Sequence, residues 1–191
     1  EWVNGLALEA NVHLWGLGNA INNMAAKLGF WLWYKPATVS GVQRLLRIES
    51  VAGGATANKF SFYANNATIV CECYISGANG RFFTSGNVLS AGAWRALYLQ
   101  YDSSRGGDAN FALFVGGVAT STTPANLGAG GALTVLPQPT GNALIGGATD
   151  SDTPVQPIAN GGQLGPNPVV TFNDNLTAAE IANMMLFEAP T

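Results

Sequence analysis

The chain has 191 residues, of which 48% are hydrophobic and only 10% charged, against about 25% charged in an average globular domain. Eight Lys and Arg against eleven Asp and Glu leave a net charge of -3. There is thus no basic patch to neutralise phosphates, which excludes nucleic-acid binding, and no run of roughly 18 apolar residues that could span a membrane as a helix. The length predicts one domain with a core of its own.

Residues 1–27 form an N-terminal segment, either an arm or the first strands, with the sandwich domain proper expected over 28–191. In the segment Leu6, Leu8, Val12, Leu14 and Leu17 suggest one or two short strands. Leu28 to Lys35 is aromatic and alternating and stops at Pro36, which marks a strand. Val42 to Ser50 fits helix or strand by pattern, and the following Gly53-Gly54 favours strand. Asn58 to Tyr63, Thr68 to Ile75 and Arg81 to Thr84 read as successive strands, parted by the turn formers Asn65-Asn66 and Gly77-Ala78-Asn79-Gly80.

The clearest stretch is Leu89 to Val118. Trp94, Ala96 and Tyr98 point one way and Leu97, Leu99 and Tyr101 the other, while Phe111, Leu113 and Val115 share a face. A run of turn formers, Asp102 to Asp108, joins the two strands, and Gly116-Gly117 signals a two-residue hairpin turn. Apolar residues on both faces put this pair in the middle of a sandwich. Thr120 to Gly131 reads as a loop, Leu133 to Leu136 and Asn142 to Gly146 as strands, and Asp150 to Pro168 as a long connection that holds little regular structure. Val169 to Phe172 is a strand. Thr177 and Glu180 then form a capping box for a short helix whose stripe is Ile181, Met184 and Met185. The fold class is therefore an all-β antiparallel sandwich with one short C-terminal helix.

Several of these residues fall in the order of a known pattern. Trp33-Tyr34-Lys35-Pro36, Gly92-Ala93-Trp94 leading to Tyr101-Asp102, Leu113-Phe114-Val115-Gly116-Gly117, Ile145-Gly146 and Leu176 to Ile181 together resemble the laminin-G-like, or concanavalin-A-like, lectin-glucanase jelly-roll domains. The resemblance runs over about residues 28–188. It implies a jelly roll and does not choose among lectins, adhesion modules, glycosidases and virion proteins.

Chemistry is sparse. Glycoside hydrolysis needs two carboxylates flanking a cleft, and Glu49 and Glu72 could pair only on neighbouring strands. Otherwise Glu72 is an acid on a sheet face, paired to Arg44 or Arg47. His13, the only histidine, sits in an apolar context and reads as structural. No catalytic residue is expected. Cys71 and Cys73, two apart on one strand, face the same way and cannot bridge each other; buried free thiols point to folding in a reducing compartment. No cofactor is expected beyond calcium, for which Asp150 and Asp152 are the candidates. Arg81, Phe82 and Phe83 follow an Asn-Gly turn, and one of the two rings must point outward, which makes this run the candidate glycan platform.

Two functions fit. Low charge, an absent leader and a start at Glu1, as in a processed or excised product, fit a non-enzymatic structural protein of a large assembly. A virus or phage particle, with the chain as capsid decoration or tail fibre among protein neighbours in an oligomer, is the first reading. The alternative is a carbohydrate-binding adhesion module at an extracellular surface, and a glycoside hydrolase is the remote third.

Overall fold

The computed structural model describes residues 6–7, 14–15, 27–48, 59–76, 79–129, 143–145, 148–150, 153–155, 161–165, 169–172 and 175–184. In chain order the strands begin with β1 (Leu6–Ala7), β2 (Leu14–Trp15), β3 (Lys27–Lys35), β4 (Val42–Ile48) and β5 (Lys59–Asn65). They continue with β6 (Thr68–Ser76), β7 (Asn79–Asn87), β8 (Arg95–Asp102), β9 (Phe111–Val115), β10 (Val118–Thr120) and β11 (Thr122–Leu127). The last are β12 (Ala143–Ile145), β13 (Ala148–Asp150), β14 (Thr153–Val155), β15 (Gln163–Leu164) and β16 (Val169–Phe172), before α1 (Ala178–Met184).

One sheet runs β1-β15-β3-β8-β9-β10, with β16 also paired to β3; the other runs β11-β7-β6-β5-β4-β12-β2. All pairings described are antiparallel. The two sheets stack as a sandwich closed by one helix, the fold class expected. The two N-terminal strands divide between the sheets, β1 on β15 and β2 on β12.

The core lies between the sheets. Phe30, Leu32, Tyr34, Leu97, Leu99, Tyr101, Phe111 and Leu113 come from the first sheet, and Leu46, Phe60, Phe62, Ile69, Cys71, Cys73 and Phe83 from the second. Rings bridge the gap: Phe30 meets Phe62 edge-on at 5.7 Å, and Phe83 lies 4.5 Å from Phe111. The alternate residues of the first sheet are apolar as well, because α1 covers them. Trp31, Tyr98 and Ile181 form a second buried cluster, with Trp33, Phe114, Leu176 and Met184 packed on it. The Tyr98 hydroxyl accepts from Leu176 N at 2.9 Å, and Thr177 and Glu180 close the expected capping box. Met185 lies outside the described residues.

One loop expectation is corrected and another is filled in. The stretch 120–131 is not a loop: Thr122–Leu127 is the edge strand of the second sheet, paired to β7 from Thr122↔Ser85 to Leu127↔Gly80. Its Thr residues are β-branched, and an edge strand tolerates Pro124, whose missing N–H would break a central ladder. The connection 150–168 holds β14, hairpinned to β13, and β15, which docks on β3. The strand expected at 133–136 lies outside the described residues. The Gly116-Gly117 turn has φ of 59° and 80°, the left-handed pair that a two-residue hairpin demands.

The strand expected to start at Arg81 begins at Asn79, and its second residue sets the spacing of β6 and β7. A Cβ on Gly80 would lie 2.2 Å from the Cys73 carbonyl oxygen, so no larger residue fits without parting the strands. Gly80→Ala is expected to lower the unfolding free energy by about 2 kcal/mol or more. Urea titration reads this; an unchanged midpoint would show that β6 and β7 do not need the close approach.

Candidate functional site

The outer face of the second sheet follows from the alternation of its strands. Phe60, Phe62, Cys71, Cys73 and Phe83 point into the core, so Ser61, Tyr63, Glu72, Tyr74 and Phe82 point away from it. Pairing sets them in rows: Arg47↔Ser61, Ser61↔Glu72 and Glu72↔Phe82 in one, Arg44↔Tyr63 and Tyr63↔Val70 in the next.

These residues are joined by polar contacts. Arg44 Nη1 donates to Ser61 Oγ at 2.7 Å and to Glu72 Oε2 at 3.3 Å, reaching from β4 across β5 to β6. Its guanidinium also lies 4.1 Å from the centre of the Tyr63 ring, a cation–π distance. The Tyr74 hydroxyl is hydrogen-bonded to Glu72. Arg44, Arg47, Ser61 and Glu72 are buried although they lie on an outer face, while Tyr63, Tyr74 and Phe82 stay half-buried. The result is a set of three partly accessible rings around a buried arginine–glutamate pair.

Burial raises the Tyr63 hydroxyl to about 12, with the Glu72 carboxylate adding to the shift. Tyr74 is raised to about 12 by the same two causes in the same order. Both are therefore neutral hydrogen-bonding groups at physiological pH.

The platform expected at Arg81, Phe82 and Phe83 is divided by the strand. Phe82 alone of the three lies on the outer face, in register with Glu72. Phe83 is 2% exposed and packs on Phe111 and the core. Arg81, in register with Cys73, turns to the core side and bridges to the first sheet: its Nε donates to Asp108 Oδ1 at 2.9 Å, and its guanidinium also engages Asn126. Arg81 thus clamps β7 to the connection between β8 and β9 of the first sheet. Of the calcium candidates, Asp152 lies outside the described residues and only the backbone of Asp150 is described. Among the described residues no group of three or more His, Cys, Asp or Glu is placed to hold a metal, and no helix is long and apolar enough to cross a membrane.

The Glu49–Glu72 pairing cannot be placed on described residues; the strands β4 and β6 have β5 between them. Glu49 and His13 are outside the described residues. The pairing of Glu72 to Arg44 is as expected, and Cys71 and Cys73 are free, buried thiols. Burial, with the neighbouring thiol next, pushes Cys71 well up. Between the sheets, Phe62, Ile69, Cys71, Phe83, Phe111 and Thr122 line an apolar crevice with room for about one water molecule, too small for a ligand. Sequence reasoning missed Arg44, Ser61, Tyr63 and Tyr74 as parts of one site. The available signal was an acid in the middle of one apolar strand and two arginines in another.

Comparison with solved structures supports the fold. The chain is similar to the carbohydrate-binding CBM40 module of the Ruminococcus gnavus IT-sialidase, solved bound to alpha2,3 sialyllactose, with a TM-score of 0.66 and 14% identity over 95% of this chain and 96% of that one. It is similar to the leech intramolecular trans-sialidase complexed with 2,7-anhydro-Neu5Ac, with a TM-score of 0.67 and 15% identity over 97% of this chain and 27% of that one. Domains LG4-5 of the mouse laminin alpha1 chain match with a TM-score of 0.60 and 14% identity, over 89% and 41%. No protein-family model matches the chain, and no curated protein sequence matches it significantly. The chain has the concanavalin-A-like jelly-roll fold that its sequence resembles.

The raised phenols carry a pH signature. A hydroxyl whose pKa is raised by folding contributes stability that is complete below the unfolded value of 10.0 and is lost as pH rises through about 12. Tyrosinate absorbance is expected to show Tyr63 and Tyr74 ionising well above pH 10, each late step vanishing in Tyr63→Phe or Tyr74→Phe. If either variant loses a step near pH 10 instead, the burial of that hydroxyl is refuted.

Proposed function

We propose that the chain is a non-catalytic glycan-binding module whose ligand lies on the outer face of the second sheet. The observation that carries this reading is the set of half-buried rings, Tyr63, Tyr74 and Phe82, around the buried Arg44–Glu72 pair. A sugar has apolar C–H faces that stack on rings and hydroxyls that need fixed donors and acceptors. This face supplies both, on rigid strands rather than loops. The fold adds weight, since a solved structure similar to this chain over nearly its whole length is a sialyllactose-bound module.

The sparse charge also fits this reading. Stacking and neutral hydroxyl contacts need few charges, so 10% charged residues do not require a neighbour-covered particle surface. The low charge behind the assembly reading is accounted for equally well by sugar recognition. Hydrolysis is disfavoured because Glu72, the acid on this face among the described residues, is committed to Arg44 and Tyr74.

Phe82 is the residue to change first. It holds up no core contact, whereas Phe83 does. On a glycan array that includes sialylated lactose, with and without calcium, the chain is expected to bind a defined subset of oligosaccharides. Phe82→Ala should weaken that binding by about tenfold or more with the melting temperature little changed. An array without hits under both conditions would refute the reading.

A further inference from the structure

We infer that Arg44 is a positioning residue of the platform, holding the Tyr63 ring in the orientation in which a sugar stacks on it; this rests on the glycan reading above. Three observations point to it. The guanidinium is planar and lies 4.1 Å from the Tyr63 ring centre, so it constrains how that ring can turn. It is itself fixed at the other end by Ser61 Oγ and Glu72 Oε2 on two further strands. It is buried, while the ring it touches is half-buried, so the arginine acts from beneath the accessible surface.

The same Glu72 receives the Tyr74 hydroxyl. The pair therefore reaches two of the three rings by separate arms: Arg44 stacks on Tyr63, and Glu72 holds the Tyr74 hydroxyl. Arginine suits this role where lysine does not. Its fork holds two acceptors while its flat face stacks, and a lysine ammonium offers a point charge on a flexible stem. A ring ordered before the ligand arrives spares the complex the cost of ordering it, about three- to tenfold in Kd for one side chain.

The test is a double-mutant cycle in the full chain, read by titration with alpha2,3-sialyllactose and by the glycan array. Arg44→Lys and Tyr63→Ala are each expected to weaken binding by about tenfold. The double variant should be no weaker than Tyr63→Ala, because Arg44 acts through that ring. In the ligand-free protein, the Arg44 side-chain protons should show the upfield ring-current shift of a stacked guanidinium, lost in Tyr63→Ala. Additive losses, or full affinity in Arg44→Lys, overturn the positioning role while leaving glycan binding intact. Loss of all binding in the unaltered chain overturns both. If Arg44→Lys fails to fold, the paired variant Arg44→Met with Glu72→Met removes both charges together. It is expected to fold and still to bind about tenfold more weakly, and undiminished affinity in it overturns the role.

Discussion

Phe60, Phe62, Cys71, Cys73 and Phe83 fill the space between the sheets, and the pairing of β5, β6 and β7 then leaves Ser61, Glu72 and Phe82 only the outer face. Burying a large apolar side chain is worth about 1.5–3 kcal/mol. A slip of one residue would expose several such side chains and drive Glu72 inward, at a cost comparable to the roughly 5–15 kcal/mol that holds a whole domain folded. The outer face is therefore as firmly specified as the core, although none of its own residues need do the specifying. Gly80 allows β6 and β7 to approach at the end of this ladder, and the Arg81 clamp to Asp108 ties the same end to the other sheet.

On this rigid frame the Arg44–Glu72 pair is an expensive choice. Two buried charges lose hydration worth several kcal/mol each, and apolar residues of similar size often serve stability as well or better. Stability is thus a weak reason for the pair, and the geometry offers a stronger one. Through Ser61, Tyr63 and Tyr74 the pair reaches every strand from β4 to β6. A charged network with several fixed partners defines orientation more sharply than dispersion contacts, which many rotamers satisfy.

Much of the fold can be read in the sequence where both neighbours of a strand are strands. In β8 the inner and outer faces are both apolar, which marked it as central, and α1 supplies the cover its outer face requires. The edge strand β11 was illegible for the same physical reason in reverse. Among the described residues the strand Thr122–Leu127 pairs only with β7 and has several exposed positions, so it needs no apolar run, and Pro124 made it look like a break. The site was legible only in pieces. Arg44 lies 17 residues from Ser61 and 28 from Glu72, and the bulge between Arg44 and Leu46 shifts the register that joins them. No local pattern records such a shift. Phe82 and Phe83 show the limit most plainly: neighbours in sequence, they divide between outer face and core on strand phase, which only the pairing with Glu72 and Cys71 decides.

Fold likeness at 14–15% identity says where a jelly roll can offer a surface and does not by itself choose what that surface recognises. Recognition has to be argued from side chains, and the two sheets differ here. The outer face of the first sheet spends Trp31, Tyr98 and part of Trp33 and Phe114 on docking α1, so its aromatic residues are used internally. The outer face of the second sheet keeps its rings half-buried and ties its charges beneath them. A helix on one face and a polar-aromatic network on the other give the sandwich an inside-out asymmetry. Both sheets fill the core between them, and on that shared support the second holds an outer surface ordered by hydrogen bonds.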